Sequence, residues 1–192
     1  MRTTVPLLGA IASVALLVVA AGRYPGGYDW IDQSVSSLFQ PTAHNGEQNT
    51  ARALAAGAVF LFCLSLAIVF ATVARSAPTR FHRKTVQIAG IGSMVYAALV
   101  VTPMHDLLVG VALAFFVTAV VTLLHGLYLE RRLWMLCAGL ACLALVVGNA
   151  ALYYGDWPGG WLPIVQKASI GSWATWLFAL SITARATASQ QR

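Results

Sequence analysis

Along most of this chain the apolar positions run unbroken instead of recurring with a helical or strand period. Six runs stand out: Val5 to Gly22, Ala51 to Ala74, Val86 to Thr102, Leu107 to Tyr128, Leu133 to Leu152, and Leu162 to Thr183. Each approaches the ~20 residues that a helix needs to cross a hydrocarbon layer ~30 Å thick at ~1.5 Å per residue. The pattern predicts an all-α fold, a single integral membrane bundle of six transmembrane helices. The break between the third and fourth runs rests on Pro103, His105 and Asp106. Without it the region would be one run of about 40 residues, too long for a single span at ordinary tilt. The first run also has a reading as a cleaved signal peptide, with Arg2 before it and Val19-Ala20-Ala21 near its end. The expectation here is an uncleaved helix.

The longest connection, Gly22 to Thr50, has a pattern of its own. Ile31, Val35, Leu38 and Phe39 recur at helical spacing, with Asp29, Asp32, Gln33 and Ser36 largely opposite. This predicts a short amphipathic helix lying in the outer interface. Asp29 is placed as its N-cap and Asp32 in its first turn, where negative charge favours the helix dipole. Pro25, Gly26 and Gly27 precede it and Pro41 follows. The two aspartates therefore read either as caps or as groups facing a pocket that this segment closes. On the fourth run, Gly110, Ala114 and Thr118 form a small-residue stripe at spacing four, expected to serve packing inside the bundle.

Composition removes the soluble alternative. Apolar residues make up 59% of the chain and charged residues 9%, against about 25% charged in globular domains. The net charge of +6 is not the basic patch of a nucleic-acid binder, because the cations fall in short clusters between apolar runs. Nine of the twelve, Arg2, Arg75, Arg80, Arg83, Lys84, Arg131, Arg132, Arg185 and Arg192, fall on one side of the expected topology; Arg23, Arg52 and Lys167 fall on the other. Five of the six carboxylates share that other side. The positive-inside rule then places both termini in the cytoplasm. Tyr24, Tyr28, Trp30, Tyr153, Tyr154, Trp157 and Trp161 collect at the outer face, where aromatic rings favour the headgroup layer. Cys63, Cys137 and Cys142 all lie in apolar runs and read as small apolar residues.

The outer side gathers the groups that could do chemistry. Asp32, His105 and Asp106 are the candidate catalytic residues, able to supply acid–base or metal chemistry if they converge. Ser36, His105, Asp106, Asp156 and Lys167 are the candidate ligand-binding residues. Adjacent on a regular helix, His105 and Asp106 would point about 100° apart. Lys167 either snorkels to the outer headgroups or pairs with Asp32, Asp106 or Asp156, with Asn149 and Gln166 as neighbours. His105 and His125 lie at opposite ends of one run, and His44 and His82 fall in loops, so no histidine pair for a haem is expected. No cofactor or metal-binding motif occurs, and no P-loop, nucleophile elbow or dinucleotide fingerprint. No ionisable residue occupies the middle of a run, which argues against an ion-coupled transporter or pump.

Three short motifs carry a family resemblance. Val35-Ser36-Ser37-Leu38-Phe39 matches in part a Ser-(acidic)-Leu-Gly signature after the first span, with Ser37 in place of the acidic residue and Phe39 in place of glycine. Asn49 fits an asparagine at the start of the second span. Pro103, His105 and Asp106 match a Pro, Asp and His set near the third-to-fourth turn, in compressed order. In these the chain resembles the bacterial six-helix family called domain of unknown function nine-nine-eight. The resemblance implies a six-span fold and a polar outer cluster around Ser36, His105 and Asp106.

The expected function is non-catalytic: an outward-facing polar site for a lipid headgroup, a small ligand or a membrane partner. The alternative is an enzyme acting on a lipid-borne substrate at the outer leaflet. Membrane lipids are the expected partners, with a membrane protein as a further one and no nucleic acid.

Overall fold

The computed structural model describes residues 4–102, 104–155 and 160–190, with side chains described as far as residue 184. Asp156 and Pro103 lie outside the described residues. Six α-helices follow in order: α1 Thr4–Gly22, α2 Arg52–Ala74, α3 Arg80–Ala98, α4 His105–Leu129, α5 Leu133–Tyr154 and α6 Leu162–Gln190. No strand occurs among the described residues; one isolated bridge joins Thr42 and Gln48. Five helices, α1 to α5, are long and apolar enough to cross a membrane.

Helix α2 is central and packs on α1, α3 and α6; α3 also packs on α4, α4 on α5, and α5 on α6. The core is built by aromatic rings from three helices. Phe70 of α2 meets Phe116 of α4 edge-on, Phe116 meets Trp173 of α6 at 4.5 Å, and Trp173 meets Trp176 at 5.2 Å. Such edge-to-face pairs suit the ring quadrupole. Helices close on these rings only where a neighbour lacks a Cβ. At Gly90 an added Cβ would collide with Phe70, and at Gly139 with Trp176. Polar staples fix the register: Ser13 Oγ–H donates to Ala58 O at 2.8 Å, and Trp176 Nε1–H to Met135 O at 2.9 Å. Bonds of this kind within membranes average about 0.6 kcal/mol.

The outward faces are apolar. Leu8 and Ile11 on α1, Phe60 on α2, Ile88 on α3, Leu107 on α4 and Val147 on α5 are all exposed. Without lipid, such a surface would far exceed the apolar patches that soluble proteins carry.

Two expectations about elements are corrected. Helix α3 starts at Arg80 instead of Val86 and ends at Ala98, before a single 3₁₀ turn Leu99–Val101. Thr79 explains the early start: its Oγ1 accepts the His82 N–H as an N-cap. This takes Arg80, Arg83 and Lys84 out of the preceding loop and into the helix. The small-residue stripe of α4 does not pack inside the bundle either. Ala114 and Thr118 are exposed, and nothing approaches the Cβ position of Gly110.

The end of the bundle opposite the α1–α2 connection holds a contact that sequence spacing hides. His82 lies in the first turn of α3, not in a loop, and its Nε2 is 2.9 Å from His125 Nδ1 on α4, with the rings stacked at 5.0 Å. His82 is buried and His125 exposed. Thr79 Oγ1 lies 2.7 Å from His82 Nδ1. Both ring nitrogens of His82 are thus engaged, Nδ1 by the Thr79 hydroxyl and Nε2 by His125. One turn further, Arg131 closes α4 at φ 54°, the left-handed conformation that usually selects glycine. Arg132 N–H donates to Leu127 O and Arg131 N–H to Tyr128 O, completing the C-cap.

Candidate functional site

The segment between α1 and α2 folds as a cap over one end of the bundle. The expected amphipathic helix is replaced by two smaller pieces. Asp29 does cap, but only one turn: Oδ1 accepts the N–H of Ile31 at 2.7 Å and of Asp32 at 3.1 Å. Those two donors hold its carboxyl below the usual range. The chain then extends at Ser34 and enters a five-residue 3₁₀ helix, Val35–Phe39. Because the helix breaks between them, Ile31 stays exposed while Leu38 and Phe39 are buried.

Side chains from both neighbouring helices pin the cap. Asn49 is buried and donates from Nδ2 to Leu38 O and to Gln40 O, each at 2.9 Å, while Oδ1 accepts Ala51 N–H at 3.0 Å. Arg52, at the start of α2, donates to Phe39 O and to Val101 O, both at 3.2 Å. From α6, Gln166 Oε1 accepts Val35 N–H at 2.8 Å. Lys167 Nζ donates to Gln33 O at 2.6 Å and to Pro163 O at 3.2 Å. Of the two readings of Lys167, pairing with Asp32 or Asp106 is not found among the described residues; backbone carbonyls take its hydrogen bonds instead. Tyr28 O–H donates to the same Gln33 carbonyl at 2.9 Å, and partial burial pushes its phenol up to about 12. Asn149, expected beside Gln166, leaves its buried Oδ1 unpartnered among the described residues.

The candidate residues divide into three places. Ser36 sits in the cap, its Oγ 2.7 Å from Ser34 Oγ. Asp32 is exposed on the capped turn and forms no hydrogen bond or ion pair with His105 or Asp106. Those two do meet, against the helical-wheel expectation. His105 Nδ1 lies 3.0 Å from Asp106 Oδ1, and Tyr153 O–H donates to the same oxygen at 2.7 Å. Contact is possible because the pair opens α4, where no preceding turn confines the side chains. Tyr153 comes from α5, and nothing in sequence spacing links it to Asp106. His105 in turn lies 6.3 Å from the ring of Phe39 in the cap. No group of three or more His, Cys, Asp or Glu side chains able to hold a metal occurs among the described residues.

A second polar site lies on the other flank of the cap, around His44, which the sequence places among the ionisable groups of the same side as His105. The cap doubles back around Gly46, at φ 86°, with Ala43 N–H donating to Glu47 O and Asn49 N–H to Pro41 O. This turn carries His44 back over Ser37, with Nε2 3.2 Å from Ser37 Oγ, and His44 N–H donates to Tyr24 Oη at 3.0 Å. Tyr24, Ser37, Gln40, Thr42, Ala43 and His44 line an open pocket of about 260 Å³.

Such a helical bundle, apolar on its outward faces and closed at one end by a polar cap, has the make-up of a multi-pass membrane protein. The chain belongs to the family described as protein of unknown function (DUF998), whose sequence pattern matches residues 7–183. No curated protein and no solved structure matches it. The fold also brings the three motifs of this chain together. Asn49 holds the Leu38 carbonyl, and Arg52 ties Phe39 to the turn that leads into His105 and Asp106.

Proposed function

We propose that this protein is a six-span bacterial inner-membrane protein with both termini in the cytoplasm. On this reading α6 is the sixth span, the cap lies at the outer headgroup layer, and the protein is a non-catalytic module whose cap binds a small polar ligand or lipid headgroup. The observation that carries it is the pinned cap. Loops are ordinarily mobile, yet this one is held by Asn49, Arg52, Gln166 and Lys167, and beside those contacts it leaves an open polar pocket. A binding site needs that much; an enzyme needs groups converging on a reacting atom.

The test uses Ser37→Cys in a variant whose three native cysteines are alanine. A membrane-impermeant maleimide should modify it in intact bacterial cells. In nanodiscs, adding the total lipid extract of those cells to phosphatidylcholine should slow the reaction about fivefold, the effect of a ~1 kcal/mol contact. Modification only after permeabilisation would reverse the orientation. Equal rates in both lipid environments would remove ligand binding at this pocket.

The second reading is an enzyme working on a lipid-borne substrate at the outer leaflet. His105, Asp106 and Tyr153, joined by hydrogen bonds, favour it. On this reading, His105→Ala abolishes turnover of outer-leaflet lipid without loss of membrane insertion; unchanged turnover removes it.

A further inference from the structure

The pocket of the cap also carries information about its ligand class; this rests on the outward-facing site proposed above. Its polar lining consists of the Tyr24, Ser37 and Thr42 hydroxyls, the Gln40 amide and the His44 imidazole. No carboxylate, ammonium or guanidinium lines it. The two nearest cations of the cap are committed elsewhere, Arg52 to the carbonyls of Phe39 and Val101 and Lys167 to those of Gln33 and Pro163. Phosphate groups are held by Arg, Lys or helix N-termini, and ammonium groups by carboxylates or open aromatic faces. Neither arrangement is present. Hydroxyl and amide groups each donate and accept, which is the complement of a ligand made of hydroxyls.

Tyr24 adds a second observation. Its side chain is 5% exposed, and its oxygen accepts the His44 N–H, but its own O–H proton has no acceptor among the described residues. That hydroxyl belongs to a residue lining the open pocket, so a ligand seated there can accept its proton. At about 260 Å³ the pocket falls just below the ~300–1,000 Å³ of sites for drug-sized ligands, a size suited to one ring.

We propose that the Tyr24–Ser37–His44 pocket binds a neutral, multiply hydroxylated group, a single glycosyl ring presented at the outer face. The ring accepts the Tyr24 O–H proton and exchanges hydrogen bonds with Ser37 and Gln40. The ring could reach the pocket as a lipid headgroup or as a free sugar.

The experiment uses the full chain in phosphatidylcholine nanodiscs and native mass spectrometry. The probes are monoglucosyl diacylglycerol, phosphatidylglycerol and soluble methyl glucoside. The glucosyl lipid should be retained over phosphatidylglycerol, and Tyr24→Phe and Ser37→Ala should each weaken retention about fivefold, the loss of one hydrogen bond. Ser37 Oγ contacts only the exposed His44 ring and Ser34 Oγ and takes no part in the Asn49, Arg52, Gln166 and Lys167 contacts that pin the cap, so Ser37→Ala tests the site even if Tyr24→Phe loosens the cap. Displacement of the glucosyl lipid by methyl glucoside at matched concentration would support the glycosyl assignment with a soluble source; resistance to displacement would support it with a lipid source. Equal retention of phosphatidylglycerol, lost in the same variants, would overturn the glycosyl assignment and leave the outward-facing site standing. Retention unaffected by either variant would overturn both.

Discussion

Asn49 shows how much one neutral side chain can hold. It satisfies two carbonyls and one N–H inside the cap, and neither alanine nor aspartate can donate to those carbonyls. Asn49→Ala is expected to cost about 2–3 kcal/mol, because buried backbone groups lose their partners. The loss should appear as a lower Tm in detergent and as faster proteolysis between α1 and α2; an unchanged Tm would show that water replaces the amide. Asp29 makes a pH-dependent contribution to the same cap. Its folded pKa lies below its ordinary value, through the Ile31 and Asp32 N–H groups. Stability from this turn is therefore present above the ordinary carboxylate pKa of about 3.9 and is lost as pH falls through the folded value. Amide exchange at Ile31 should accelerate over that acid range beyond its intrinsic rate, and Asp29→Ala should abolish the extra pH dependence. At this scale the residue types were readable in advance, Asp29 as a cap and Asn49 as a family feature. Their partners were not, because a hydrogen bond to a carbonyl eleven residues away leaves no periodic trace.

Between elements, the contact of α3 with α4 at the end opposite the cap is the clearest case of pairing without a motif. His82 and His125 are 43 positions apart and meet because the two helices run antiparallel with Gly126 against Pro78. His125→Leu would leave the Nε2 of the buried His82 without its partner and is expected to destabilise by about 1–3 kcal/mol. The double variant with His82→Leu as well should recover part of that loss, since removing both partners leaves nothing unsatisfied. Chemical denaturation of the four proteins in detergent reads this cycle; strict additivity would mean that the hydrogen bond contributes nothing. The cap is the converse case. Its apolar spacing spelled a helix, but the capped turn at Asp29 and the extended backbone at Ser34 split the pattern, so Ile31 and Leu38 have opposite fates.

For the molecule as a whole, the proposed orientation rests on charge, and the charges at the start of α3 are exposed: Arg80, Arg83 and Lys84. Reversing Arg83 and Lys84 to glutamate is expected to weaken the inner-side bias, read as mixed orientation in a reporter-fusion assay. An unchanged orientation would assign topology to the remaining basic turns. Membrane insertion itself should survive this change, because the long apolar runs are untouched.

By itself the sequence determined the all-helical class, the long apolar helices and the sidedness of charge. Each is a sum over many residues, and unsatisfied backbone in hydrocarbon leaves a chain of this composition no alternative to helices. Family membership was legible in Ser36, Leu38, Asn49, His105 and Asp106, few in number but specific in type. Only the tertiary structure decided which polar groups meet. It brought Tyr153 to Asp106, His82 to His125, Lys167 to a carbonyl of the cap, and Tyr24, Ser37 and His44 around one pocket. Each of these is a single contact between distant segments, set by how antiparallel helices and a folded cap come into register, and a linear pattern of apolar and polar residues does not encode that register.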